Sequence, residues 1–215
     1  VSFGDEKLFS DVTIEIDRGE KAAIVGPNGC GKSTLLKCIM NEMEASGGDI
    51  IFERDASVGY LAQKHSVDES ASILDYALMA RPDILKREER LREMESEMAA
   101  LSDDPEGLNR LMEEYQTLSL EYDRIGGKSY RSEVVGALKG LGFSEEDFTL
   151  SVSALSGGQM TRAALARLLL YEPDLLILDE PINHLDLKSI EWLEAFLVNY
   201  KKSVLIVAHD RYFLD

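Results

Sequence analysis

Three short stretches carry the residues whose types and spacing could do chemistry. The first is "GPNGCGKST", Gly26 to Thr34, which fits G-x-x-x-x-G-K-[ST] between an apolar run and a helix. Such a loop wraps a phosphate. The backbone N–H groups of Gly29, Gly31 and Lys32 would surround a β-phosphate, with Gly26, Asn28, Cys30 and Thr34 completing the turn. Lys32 would add charge at the β- and γ-phosphates, and Ser33 would place a hydroxyl on Mg2+. The second stretch, "LLILDEP", sets Asp179 and Glu180 at the end of an apolar strand, where α/β sheets bind ligands. Asp179 suits the Mg2+ shell. Glu180 is then free to orient or deprotonate an attacking water. The third, "SALSGGQMTRAALARLL" from Ser153, is a glycine-bearing polar loop opening onto a helix, a second anion-facing end. A plain glycine turn is the simpler account of the first stretch, but the strand before it and the helix after it argue for phosphate.

These residues need a scaffold that brings them together. The 215 residues, 45% of them hydrophobic, suffice for one domain or one domain with an insertion. "LFSDVTIEI" (8–16) alternates like a strand and turns at "DRGE", and "KAAIVG" reads as a buried strand. A helix is expected from Lys32 to about Met43, and "GGDIIFERDASVGYLAQ" gives two strand-like pieces ending at Gln63. Beyond the third stretch, "PDLLILDEP" and "KKSVLIVAHD" are buried strands flanking the helix "LKSIEWLEAFLVNY". Short apolar strands alternating with helices imply a parallel sheet.

The middle has another character. Leu91, Met94, Met98 and Leu101, then Leu108, Leu111, Tyr115, Leu118, Tyr122 and Ile125, step by threes and fours on either side of "SDDPEG". That describes two helices of about 18 residues, about 27 Å each, joined by a short polar turn. They form either a projecting antiparallel hairpin, Ile84 to Ile125, or two amphipathic helices lying on the body. Lys86, Arg87, Arg90 and Arg92 cluster on the first helix, either as a basic tip for phosphate or self-paired with Glu88, Glu89, Glu93 and Glu95. A short helix is expected from about Ser129 to Leu141.

The net charge of -17 argues against a broad nucleic-acid surface but leaves room for a local contact. No apolar run reaches the roughly 20 residues of a membrane span, and "VSFGDEKLF" is no signal peptide. Cys30 and Cys38 read as reduced thiols, so a cytoplasmic location is expected. Val1 is not a start residue and nothing follows "HDRYFLD", so the chain reads as a piece of a longer polypeptide.

Phosphate loop, Gln63, "LSGGQ" (155–159), "LDEP" (178–181) and His209 come in the order of an ABC-type ATPase, which the whole chain resembles. The resemblance implies a P-loop α/β core with a small antiparallel β part and an inserted helical subdomain. The core would be residues 1–66 and 154–215, and the helical subdomain 67–153 with its arm-like hairpin at 84–125. It also implies that two units pack head to tail, each lending Ser156, Gly157, Gly158 and Gln159 to the partner's ATP. By the same resemblance Phe3 would stack on adenine and Gln63 would sense Mg2+ and the attacking water. His209 would contact the γ-phosphate, and Asp186 would couple the units. "LDEPINHLD", "SIEWLEAFL" and "HDRYFLD" narrow the resemblance to the ABC-F proteins, tandem ATPases mostly associated with ribosomes. The implied partners are ATP, a second ABC domain and the ribosome near its RNA and tRNA, with no membrane. Ile182 stands where threonine is usual, Gln159 where ABC-F signatures commonly have glutamate, and Cys30 where a smaller residue is usual. Gln159 keeps open a reading as the ATPase subunit of a membrane transporter. A third reading is a binding module using ATP as structural glue. His65 is expected on the surface, His184 in the turn before Asp186, and Trp192 in helix packing.

Overall fold

The computed structural model describes residues 2–3, 6–7, 10, 12–61, 70–101 and 104–209. Strands β1 (Ser2–Phe3) and β2 (Glu6–Lys7) pair antiparallel. β3 (Lys21–Val25) leads into the glycine loop and helix α1 (Lys32–Ile39). β4 (Val58–Tyr60) is followed by helices α2 (Ile73–Leu78), α3 (Pro82–Ala100), α4 (Pro105–Arg124) and α5 (Gly127–Gly140). After 3-10 turns at Glu145–Thr149 and Val152–Ala154 come α6 (Gly157–Tyr171), β5 (Leu175–Asp179), α7 (Leu187–Asn199) and β6 (Ser203–Ala208).

The central sheet is parallel, in the order β3-β6-β5-β4. β6 is buried at every position, and apart from Ser203 at its start it is apolar, as a strand covered on both faces must be. On one face Leu36 of α1 packs with Ile177, Leu205 and Val207. On the other, Leu176, Leu178, Val204 and Ile206 meet Leu165 and Leu169 of α6 and Leu193 and Leu197 of α7. The same cluster runs on into α2 and α5, so the helical middle and the sheet share one core.

Several expected elements differ. β3 is an edge strand, with Lys21, Ala23 and Val25 exposed rather than buried. Across 8–16, the described residues Ser10 and Val12–16 form no ladder, and Val12 and Ile14 are exposed. Ile50, Ile51 and Phe52 likewise have no partner strand among the described residues. An Arg18–Glu53 ion pair links the two segments. The antiparallel part is therefore only the two-residue β1–β2 pair among the described residues. Helix α1 stops four residues short of Met43. Asn41 turns left-handed (φ 56), and the N–H groups of Glu42 and Met43 close on the Lys37 carbonyl. Helix α2, with Ser72 as its cap, is an element the apolar spacing did not signal.

The two middle helices are present, each begun by a proline at its first turn. Leu91, Met94 and Leu111 are buried in the seam, and the Tyr115 hydroxyl donates to Glu95 across it at 2.7 Å. The pair packs on itself and, at its root, on α5. Tyr122 donates to the Gly127 carbonyl at 2.9 Å, and Arg81 donates to the Ile125 carbonyl at 3.1 Å. Only Ile125 and the left-handed Gly126 (φ 80) separate α4 from α5, which begins two residues before Ser129. The two helices run as an antiparallel hairpin, with Ile84 and Leu85 of α3 also packed into the main core.

The basic tip is corrected. Arg87 pairs with Asp83 and Glu121, Arg90 with Glu93 and Glu97, and Arg92 with Glu88. The cluster sits in the half of α3 nearer α5, while the start of α4 carries Asp104 as its cap and Glu106 in its first turn. Residues 84–125 carry six Lys and Arg against twelve Asp and Glu, so the hairpin is acidic overall.

Candidate nucleotide site

The parallel register sets three chemical ends side by side. Val25 pairs with Ala208 and Asp179 with Val207, so β6 lies between the strand entering the glycine loop and the strand ending at Asp179. His209, exposed, leaves β6 between them.

In the loop, Gly29 (φ 83) and Gly31 (φ 99) are left-handed, conformations that side chains resist. Gly31 is the N-cap of α1 and offers no side-chain cap, so the first-turn N–H groups point out of the helix end. A Cβ at Gly29 would meet nothing within 4 Å, so its backbone is open to approach. Lys32 is nearly buried, and its ammonium donates to the carbonyls of Gly26 (2.7 Å) and Pro27 (3.1 Å). The loop thus curls around its own cation. Asn28 and Cys30 are exposed on it, and Thr34 lies in the first turn of α1.

Burial pushes the Asp179 carboxyl above the ordinary carboxylate range. The neighbouring Glu180 adds to this, while Ser33, Lys32 and Lys37 oppose it. Asp179 Oδ1 is buried with no hydrogen-bond partner among the described residues, which is costly unless a cation or donor completes it. That orphaned oxygen beside the Ser33 hydroxyl fits Mg2+. Among the described residues no group of three or more His, Cys, Asp or Glu could hold a metal. Mg2+ bound through one hydroxyl, one carboxylate, phosphate oxygens and water needs no such cage.

Glu180 takes a left-handed backbone (φ 47), rare and strained for a side-chain-bearing residue. Its N–H donates to the Val207 carbonyl at 2.8 Å, and Asn183 Nδ2 donates to its Oε2 at 2.7 Å. The strain turns the carboxylate out of the strand, and Asn183 holds it there. Sequence reasoning passed over Asn183. Its only signal was an amide three residues beyond a carboxylate at a turn.

The second glycine stretch is built differently. Ser156 caps α6: its Oγ accepts from the Gln159 N–H at 3.3 Å. Gln159 Oε1 accepts from the Ser156 N–H at 3.0 Å and hydroxyl at 2.9 Å. This is a capping box, which glutamate fills as well as glutamine. Gly157 opens to solvent, and a Cβ on Gly158 would lie 3.8 Å from His184. Helix α6 packs on α2, α5 and β4. β4 is the sheet edge opposite β3, three strand spacings or about 14 Å from the strand that feeds the glycine loop. Asp186 caps α7, with Oδ1 accepting from the Ser189 N–H at 2.8 Å. That bond, first among the causes, holds its carboxyl below the usual range. Ile182 contributes only its carbonyl to the turn, accepting from His184 and Leu185.

Gln63 and His65 lie outside the described residues, and so does the side chain of Phe3, whose backbone is in β1. Trp192 packs as expected, its ring filling the space beside Gly140.

A family model described as ABC transporter matches residues 9–183. The chain belongs to the ABC transporter family. ATP-binding domains of this family hydrolyse ATP, and its fold is the P-loop α/β core seen here. The chain is 45% identical to the putative ATP-binding protein YdiF of Bacillus subtilis over 100% of its own length and 33% of that protein's. It is 35% identical to ABC transporter F family member 5 of Arabidopsis thaliana, over 100% of this chain and 31% of that protein. It is 37% identical to the energy-dependent translational throttle protein EttA of Mycobacterium tuberculosis, over 99% and 37%. The chain thus spans about a third of these relatives. A solved ATP-binding subunit of an ABC transporter shares the fold at a TM-score of 0.64, with 20% identity over 96% of this chain and 75% of that one. Among the described residues no helix is long and apolar enough to cross a membrane.

Proposed function

We propose that this chain is the first ATPase unit of a tandem ABC-F protein that works on the ribosome in the cytoplasm. The observation that carries this reading is the helical hairpin of α3 and α4, placed between the phosphate loop and the Ser156 end, in a chain similar to proteins named for the F family and for translation. The ATPase core is residues 1–66 and 154–215, and the helical subdomain 67–153 carries the hairpin. The domain's own residues divide the work at ATP. Lys32 and the N–H groups around Gly29 and Gly31 hold phosphate. Ser33 and Asp179, with Gln63, would hold Mg2+, which when bound supplies charge to the phosphates. Glu180 takes the proton of the attacking water, and His209 faces the γ-phosphate from β6. Phe3 stacks on adenine. The Ser156 end, remote from this chain's phosphate loop, serves the ATP of the second unit, and Asp186 couples the two. The isolated chain accordingly binds Mg-ATP but turns it over poorly, and turnover that is fast and first order in protein would contradict that.

The acidic hairpin changes the expected contact. It presents carboxylates, so it suits a basic protein face of the ribosome rather than RNA phosphate. In the full-length protein carrying Glu180→Gln, replacing 84–125 with a Gly-Ser linker should abolish ribosome co-sedimentation and leave ATP binding intact. Unchanged co-sedimentation would remove the hairpin from recognition.

A further inference from the structure

Arg162 lies in α6, six residues past Ser156, and no motif claims it. Its Nη1 donates to the Leu141 carbonyl at 3.1 Å, where α5 ends. Its guanidinium lies over the Phe143 ring, 5.1 Å from the centroid. Between these two residues stands Gly142, left-handed at φ 83. A Cβ there would fall 2.7 Å from Arg162 Nη1, 3.2 Å from Ser189 Oγ and 3.6 Å from Asp186 Oδ2. Groups from the Ser156 helix and from the cap of α7 therefore meet at one glycine: Arg162 Nη1 occupies the space a Cβ would need, Ser189 Oγ is tight against it, and Asp186 Oδ2 lies at ordinary contact. The positive charge of Arg162 also helps hold the Asp186 carboxyl ionised, after the Ser189 N–H. Arg162 Nε is buried without an acceptor among the described residues, so the fork has capacity left over. Plain packing does not call for this. An apolar side chain would fill the space without the desolvation cost of a cation.

The segment Glu180–Asp186 meets α6 a second time, where His184 rests against Gly158. One loop thus begins at the carboxylate that orients water at this chain's phosphate loop, touches the Ser156 end midway, and finishes at the cap beside Arg162.

We propose that Arg162 is a positioning residue that ties the Ser156–Gly158 end to the Glu180–Asp186 loop through Gly142 and Asp186. The end lent to a second unit is then set by the loop serving this chain's own ATP. A guanidinium suits the task because its planar fork fixes direction, which an ammonium does not. The inference rests on the reading that Ser156 acts at a second unit's ATP.

The test is steady-state ATP turnover by the full-length protein with Arg162→Lys, Arg162→Met, Asp186→Asn and the double variant Arg162→Met/Asp186→Asn. Arg162→Met should lower kcat about tenfold or more with KM for ATP within about twofold, since small misplacements of catalytic ends are costly. Arg162→Lys, which keeps charge and reach, should recover part of the loss while its melting midpoint stays that of the parent. The double variant should lose no more than the larger single loss, because both changes cut the same tie. The inference is overturned if kcat of Arg162→Met stays within about twofold, or if the two losses multiply. It is also overturned if KM rises and the melting midpoint falls in step with kcat without rescue by lysine. Should Arg162→Met not fold, the Arg162→Lys and Asp186→Asn pair decides by the same cycle. Ser156→Ala is the control: if it leaves turnover unchanged, the two-unit reading fails first, a result distinct from any Arg162 outcome.

Discussion

Two glycine-bearing turns enter helices in this chain, and they present their N–H groups in opposite ways. The loop before α1 uses left-handed glycines at 29 and 31 and leaves its helix end without a side-chain cap. The turn before α6 uses no left-handed residue and closes its helix end with the Ser156–Gln159 box. The first is a cradle formed in advance, stable as it stands because Lys32 occupies its carbonyls. The second is a satisfied helix start, its serine hydroxyl already engaged by Gln159. A site assembled from one end of each kind is therefore ready on one side and conditional on the other, which suits chemistry that waits for two units to close.

The comparison breaks most sharply at Glu180. Glu180→Gln keeps the acceptor for Asn183 and the backbone turn, so ATP binding should persist while turnover in the full-length protein falls about 100-fold or more. Rapid-quench measurement of phosphate release checks this, and turnover within a few fold of wild type would displace Glu180 as base. Next in size is Lys32→Ala against Ser156→Ala in the isolated chain. Losing a charge-assisted contact to phosphate should weaken ATP affinity about 10- to 100-fold for Lys32→Ala. Ser156→Ala should leave that affinity unchanged by fluorescence titration. Equal losses would mean that both ends serve the same ATP.

Legibility followed how local the cause was. The Lys32 loop and the Asp179–Glu180 end were readable because each is written in consecutive residues after an apolar strand, and the Ser156 end because its glycine turn opens directly onto α6, though its closure by Gln159 was not foreseen. The apolar runs of β5 and β6 were readable because burial on both faces leaves only their ends, Asp179 and Ser203, polar. The alternation at Val12 and Ile14 misled because a strand pattern states a face, not a partner, and no ladder forms there. α2 was missed because its six residues are too few for a helical period to show. At the basic cluster Lys86–Arg92 the pairing along the helix with Glu88 and Glu93 was legible as one of two readings, whereas the Arg87–Glu121 pair was not, since Glu121 lies on the other helix.

Smaller effects sharpen the comparison further. Ser156→Ala removes a cap and should cost about 1 kcal/mol in denaturant unfolding of the isolated chain. No such loss is expected at Asn28→Ala, an exposed residue of the uncapped loop. Asp179 gives a change of the opposite sign. Its carboxyl is raised in the folded chain, so the native state keeps the proton longer than the unfolded state. Its contribution to stability then falls as pH rises from the ordinary carboxylate value, about 4, through the raised one, and the cost is complete above it. Asp179→Asn should raise the melting midpoint at neutral pH without Mg-ATP and flatten that pH dependence. A lower midpoint would show that the carboxylate is already compensated.

The single left-handed glycine between α4 and α5 has a mechanical consequence. With almost no slack at Gly126, and Tyr122 bonded to Gly127, the hairpin is hinged stiffly to α5 and behaves as a lever rather than a tether. A 20-residue helix is about 30 Å long, so a tilt of about 10° at the fulcrum sweeps the far end through about 5 Å. In the proposed function, such a tilt would be the hairpin's way of carrying a small rearrangement at the ATPase core to its far end.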